Sequence, residues 1–300
     1  MNIDDLNSEY GIRGLAEFVE GCGDLTKLVM AGEGGVAEVY LLGGHVTSFR
    51  PAGGEDVLWL SEASHFEVGK AIRGGIPICH PWFAALASDP AAPIHGYVRT
   101  SELEVRGVEL TDDGGVCALL GRRFQNAPTQ GWPGGFELRV RVTVGRSLSL
   151  AVETENIGDG ELIFNEALHT YFNVSDVRHV NVTGLAGEQY WCKVTGEEGR
   201  QGDEPITFAG QFDRVYKGAT GETLLRDPRM GRKIRIAKRG SRSTVVWNPW
   251  IEKAAAMADF GDDEWPGMLC IEAANAMDDA VRIAPGESHE IETVISVERE

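Results

Sequence analysis

Two residues of this chain combine proton chemistry with a setting that asks for a task. Glu272 stands in Leu269-Cys270-Ile271-Glu272-Ala273-Ala274, a carboxylate inside an apolar run. Holding an unpaired carboxylate there costs several kcal/mol, so it wants a partner or a function. His169 stands in Phe164-Asn165-Glu166-Ala167-Leu168-His169-Thr170-Tyr171-Phe172-Asn173. Read as one strand, that segment turns Phe164, Leu168 and Phe172 to one side and Asn165, His169, Tyr171 and Asn173 to the other. The imidazole then looks into a polar, aromatic cleft. An imidazole with an ordinary pKa near ~6.5 and a carboxyl raised by apolar surroundings can give and take protons near neutrality.

Four more segments depart from plain alternation. Ala71 to Phe83 is a Gly- and Pro-rich loop that holds Arg73 among apolar residues, and an arginine so placed needs an anion. His95-Gly96-Tyr97-Val98-Arg99 sets a His and an Arg four residues apart, with Gly96 where backbone can approach a ligand closely. Gln211 to Tyr216 carries Asp213, and Val246 to Trp250 carries two tryptophans. The structural alternatives are ion pairs of Arg73 and Arg99 with Glu102 or Glu104, a loop hydrogen bond for His95, and core packing for Trp82, Trp247 and Trp250. Aromatic faces beside polar groups suit a sugar, whose C–H face is apolar and whose rim is hydroxylated. One His and one Glu around a pyranose can put a proton on the ring oxygen and take another from the anomeric hydroxyl, which opens the ring. The same ring opening on unphosphorylated aldoses is one rival, and a non-catalytic sugar-phosphate binder is another. A metal-dependent isomerase with His80, His95, His169 and Glu272 as ligands is a third, though no close-spaced His pair recommends it.

The elements that must hold these residues are strands. Phe136, Leu138, Val140, Val142 and Val144, a Gly145-Arg146 break, then Leu148, Leu150 and Val152 spell a half-buried hairpin. Shorter alternating runs occur at Leu103 to Leu110, Val116 to Leu120, Lys233 to Ala237, Thr244 to Trp247, Met268 to Ile271 and Ile291 to Val297. Only Ala254 to Phe260 reads as a short helix. The pattern predicts an all-β protein, a large antiparallel β-sandwich with few short helices, as one domain over residues 1–300.

Composition bounds the partners. The 300 residues include 28 Lys+Arg and 46 Asp+Glu, a formal charge of −18, which speaks against nucleic acid because such binding draws on clustered cations. The basic stretch Arg226 to Arg242 alternates with apolar residues and reads as a solvated hairpin. No apolar stretch is long enough for a membrane span, and Met1-Asn2-Ile3-Asp4-Asp5 lacks the signature of a secretory signal, so a cytoplasmic protein is expected. Five scattered cysteines fit neither a disulfide framework nor a Cys-rich zinc site. P-loop, H-E-x-x-H and G-x-S-x-G motifs are absent. Nothing calls for an obligate assembly, and a monomer is expected.

Taken together, the segments resemble the aldose 1-epimerase (mutarotase) superfamily, specifically its hexose-6-phosphate branch, the glucose-6-phosphate 1-epimerases. The resemblance runs from about Gly43 to the end. It passes through Arg50-Pro51-Ala52-Gly53, Val57-Leu58-Trp59-Leu60-Ser61, the Arg73 loop, the His95 segment, Ala167 to Phe172, Asp213-Arg214-Val215-Tyr216 and Cys270-Ile271-Glu272. It implies a galactose mutarotase-like supersandwich that needs no metal or organic cofactor. His169 falls where the family has its general acid and Glu272 where it has its general base. Asp213 and His95 match substrate-binding positions, and Arg73 and Arg99 match arginines around the phosphate of a small phosphosugar. The chain departs from the family at His80 and Ala84, the latter often Gly, and at Ala273-Ala274. The negative total charge does not oppose a phosphosugar, because distant carboxylates are screened over a Debye length of about 8 Å.

Overall fold

A computed structural model describes residues 1–125 and 134–300. The hairpin read from the sequence forms as Phe136–Val144 paired with Ser147–Asn156, in antiparallel register from Phe136↔Asn156 to Val144↔Leu148. Its alternation is also its burial pattern: Phe136, Leu138, Val140, Val142, Val144, Leu148, Leu150 and Val152 are all sealed from solvent. These side chains share one face of the pleat, and removing them from water is the main driving force for placing that face inward.

Two eight-stranded sheets carry the architecture. The first runs Asn181–Thr183, Thr223–Asp227, Arg232–Arg239, Ser288–Arg299, Ser147–Asn156, Phe136–Val144, Val116–Phe124, Glu104–Leu110. The second runs Glu197–Arg200, Gln189–Cys192, Phe212–Lys217, Ser243–Asn248, Met268–Asn275, Glu166–Leu168, Ile78–Cys79, with Tyr171–Asn173 also paired to Met268–Asn275. Every strand ladder described is antiparallel. Inward residues of both sheets, Val140 and Val152 from one and Leu168, Val246 and Ile271 from the other, belong to one apolar core. A four-stranded sheet from Ala16 to Pro51 packs onto that core through Phe18, Leu28, Met30, Val39 and Phe49. The sandwich expected from period two is the observed fold, and the other alternating runs are strands too, mostly longer than their clearly patterned centres.

Three local expectations change. The helix expected at Ala254 to Phe260 instead spans Trp250–Ala255, because Asn248 Oδ1 accepts the Trp250 amide at 2.9 Å and starts the turn directly after Pro249. A second helix, Ile3–Tyr10, is set by the capping box of Asn2 and Asp5. The segment Phe164 to Asn173 is not one strand but three pieces, Leu162–Phe164, Glu166–Leu168 and Tyr171–Asn173. The chain breaks at His169 and Thr170, where the His169 amide donates to Pro77 O at 3.0 Å and the Thr170 amide to Leu168 O at 2.8 Å. His169 therefore sits off the ladder, beside the Arg73 loop.

Candidate active site

The second sheet supplies the floor of a cavity of about 480 Å³, and residues between Arg73 and Arg99 together with Lys253 and Met257 supply its walls. All six residues singled out in the sequence, Arg73, His95, Arg99, His169, Asp213 and Glu272, line it. Lys193, Lys253, Trp247 and Phe83 line it as well. A larger surface recess of about 680 Å³, bounded by Pro51 to Glu55, Met230 to Arg232 and Arg299, contains no imidazole and is not where this chemistry collects.

Glu272 comes from Met268–Asn275, a strand buried along its whole length, and is 1 % exposed. His169 is 7 % exposed. His169 Nδ1 and Glu272 Oε1 stand 3.5 Å apart, and neither His169 Nδ1 nor Glu272 Oε2 has a hydrogen-bond partner among the described residues. Burial pushes the Glu272 carboxyl well above the ordinary carboxylate range; Lys193 opposes that rise and Asp213 adds to it. Burial, then the positive charges of His95 and Arg73, pull His169 well below the ordinary imidazole range. Both groups are driven toward their neutral forms, and the carboxyl lies within reach of an imidazole nitrogen that has no hydrogen-bond partner among the described residues.

The imidazole is fixed by aromatic rings. It stacks on Tyr171 with centroids 4.7 Å apart and 9° between planes, and meets the edge of Trp247 at 5.9 Å. Tyr171 is anchored in turn, its hydroxyl accepting from Arg73 Nη1 at 2.8 Å. The rest of the Arg73 guanidinium is engaged by Asp259, with Nε to Oδ2 at 3.2 Å and Nη2 to Oδ1 at 3.1 Å. The Tyr171 oxygen, against burial and with Asp259 adding, holds that guanidinium above its ordinary range. The carboxylate partner of Arg73 is thus Asp259, not Glu102 or Glu104; Glu104 pairs with Arg106. Arg73 lines the cavity with its charge paired to Asp259 and most of its donors engaged.

Arg99 is the opposite case. Its Nη2 donates to Ile94 O at 2.6 Å, its Nε has no partner, and no carboxylate lies within ion-pair distance among the described residues. Burial lowers its pKa, the signature of a cation short of a counter-charge. His95 accepts the Ala84 amide on Nδ1 at 3.1 Å, which leaves its proton on Nε2. Its ring lies 5.5 Å from that of His169. Ala84 and His95 both take left-handed backbone, φ 67° and 65°, so the loop keeps the shape for which the family often uses glycine at the first position. Gly96 also has positive φ, 72°, but what approaches it is protein: an added Cβ would lie 2.0 Å from His80 O. The expectation of a ligand at Gly96 is therefore replaced by loop closure.

Asp213, 8 % exposed on Phe212–Lys217, lies between two ammoniums, Lys193 Nζ at 3.9 Å and Lys253 Nζ at 3.8 Å. Burial raises its pKa and the lysines oppose this. The two lysines and Asp259 escaped the sequence reading, since nothing along the chain marks a residue that meets its partner only across strands. His80 is a correction. It is wholly buried against Phe136 and Phe164, with Nδ1 3.7 Å from Glu166 Oε2, and takes no part in the cavity. The four-ligand metal set that included it is not assembled. His45, expected to be structural, is: its Nε2 is 2.7 Å from Gly74 O, and burial holds it down at about 4.

Lys193 is the group that favours ionised Glu272 against burial, so Lys193→Met is expected to raise the Glu272 carboxyl further. Carboxyl-detected NMR titration should show that shift, while Lys217→Met, outside the cavity lining, leaves the Glu272 titration in place.

Known proteins resemble this chain in sequence and in fold. The family model for aldose 1-epimerase matches residues 27–296. A protein of Cenchrus ciliaris that bears the name "Putative glucose-6-phosphate 1-epimerase" is 37% identical over 283 residues, covering 91% of this chain and 84% of that one. One of Salmonella typhimurium with the same name is 34% identical over 241 residues, 80% of each chain. The crystal structure of YeaD from Salmonella typhimurium, described as a "putative mutarotase", superposes with TM-score 0.89 at 29% identity, covering 99% of both chains. A galactose mutarotase-like protein from Clostridium acetobutylicum shares the fold, with TM-score 0.71 at 14% identity over 95% of this chain and 98% of its own. No helix is long and apolar enough to cross a membrane among the described residues. With the family model spanning nearly the whole chain and the sandwich and cavity in place, this chain belongs to the aldose 1-epimerase family and is an isomerase.

Proposed function

We propose that the cavity interconverts the α and β anomers of a hexose 6-phosphate, without a cofactor, through the open-chain aldehyde. The observation that carries this reading is the 3.5 Å approach of His169 to Glu272 in a cavity that also holds the unpaired Arg99. The ring oxygen and the anomeric hydroxyl are bonded to one carbon, so the groups that serve them must be close together. Passage of the Glu272 proton to His169 sets up the imidazolium–carboxylate form, in which His169 gives its proton to the ring oxygen while Glu272 takes the proton of the anomeric hydroxyl. The C1–O5 bond breaks, an aldehyde remains, and the pair is left neutral. Rotation about C1–C2 and the two transfers run backward close the ring on its other face. The neutral form that burial favours is the one that accompanies the open chain, which reduces the cost of the intermediate. Asp213 orients sugar hydroxyls, with its charge kept by Lys193 and Lys253. His95 offers its Nε2 proton to substrate.

The phosphate falls first to Arg99, since its guanidinium has no carboxylate partner among the described residues, whereas the charge of Arg73 is paired with Asp259. Arg99→Gln is expected to raise KM for glucose 6-phosphate by about tenfold or more, the scale of one charge-assisted contact, with little effect on glucose. Arg73→Gln should lower turnover of both, because it removes the support of Tyr171 beneath His169. NMR exchange spectroscopy of glucose 6-phosphate anomers, with and without protein and with glucose as comparison, tests the reading. Exchange no faster than in buffer would refute it.

A further inference from the structure

Cys270 has no role in the reaction above, yet it lies next to the residues that do. It precedes Glu272 by two positions on Met268–Asn275, so strand alternation puts both on one face, and its register partners are Tyr171 and Trp247. One donor atom from each of His169, Cys270 and Glu272 falls within 4.8 Å of the others. All three residues are more than nine-tenths buried, and His169 Nδ1 and Glu272 Oε2 lack partners. A sulfur, an imidazole nitrogen and a carboxylate oxygen converge; His169 and Glu272 line the cavity, and Cys270 itself is fully buried.

We propose that His169, Cys270 and Glu272 form a site for a thiophilic divalent cation of the zinc class, and that its occupation switches the enzyme off. Mixed sulfur, nitrogen and oxygen donors suit Zn²⁺ or Cd²⁺ and not Mg²⁺ or Ca²⁺, which take oxygen. Rotation of the His169 and Glu272 side chains closes the three donors onto one ion, and a water takes the fourth position. Binding replaces the S–H bond of Cys270 by S–metal; that proton, and the one on Glu272, leave to solvent. No electron is transferred. The thiolate and carboxylate balance the ion's charge, which lets it sit among the cavity's cations. The lone pairs that would move the substrate's protons are then held by the metal. The inhibition rests on the proposed reaction, but the binding does not.

The test uses the full chain in a C22S/C192S background, because those two cysteines are not fully buried and would bind metal themselves. After EDTA treatment and desalting, CdCl₂ is titrated while the cadmium–thiolate absorption is followed, and ZnCl₂ and MgCl₂ are titrated against anomer exchange. One thiolate-bound Cd²⁺ per chain and inhibition by Zn²⁺ but not Mg²⁺ are expected. C270A should keep the metal-free rate within about twofold and lose at least about tenfold in Zn²⁺ sensitivity, the scale of losing a coordination contact. Absence of the thiolate absorption in the C22S/C192S protein would overturn the proposal even if C270A fails to fold. Zn²⁺ inhibition unchanged in C270A would overturn it as well. A protein that binds Cd²⁺ through Cys270 but never exchanges anomers would leave the site standing and sink the reaction.

Discussion

Glu272→Gln is expected to lower kcat for anomer exchange by at least about a hundredfold, the usual scale for losing a positioned acid–base group, with KM changed no more than severalfold. The amide keeps the shape of the side chain and its place on the buried strand Met268–Asn275, so packing is preserved. What it loses is the ability to hold and release a proton 3.5 Å from His169 Nδ1. Exchange spectroscopy at saturating glucose 6-phosphate gives kcat, and the concentration dependence gives KM. A wild-type kcat in this variant would remove Glu272 from the mechanism.

His169→Ala should cost a comparable factor of about a hundred or more in kcat, with substrate binding preserved within severalfold. It leaves a flat space against Tyr171, where the imidazole ring is stacked. Added imidazole should therefore restore part of the rate, whereas a purely structural role would leave the variant deaf to it. The same substitution reads out the electrostatics of burial. The folded protein holds His169 well below the ordinary imidazole range, so as pH falls through about 6.5 the unfolded chain takes up a proton that the folded one does not. Wild type loses stability on that descent, and the alanine variant should lose less, as measured by urea denaturation across that pH window.

How far the chain could be read follows from the range of the interactions involved. The hairpin Phe136–Val144 with Ser147–Asn156 was legible because alternation is a local property: each inward side chain is two residues from the next. The six residues of the cavity were legible from the order of segments that resemble the family, and they meet in one place. The tasks within that set were less so. Arg73 and Arg99 look alike in the sequence, each in a short loop. Only in three dimensions is Arg73 engaged by Asp259, 186 residues away along the chain, and Tyr171, while Arg99 is left without a carboxylate partner among the described residues. His80 had the composition of a site residue and was turned by the fold toward Glu166.

The sequence by itself determined that this chain is an antiparallel sandwich, because period two acts over neighbouring positions, and the family resemblance singled out His169 and Glu272 as candidates. The tertiary structure alone decided that Lys193 and Lys253 bracket Asp213, that Asp259 pairs with Arg73, and that Cys270 stands beside His169 and Glu272. Those relations depend on the register between strands and on loops that close over their ends. A shift of one residue in that register would turn every such side chain to the opposite face, and no local pattern encodes which partners then meet.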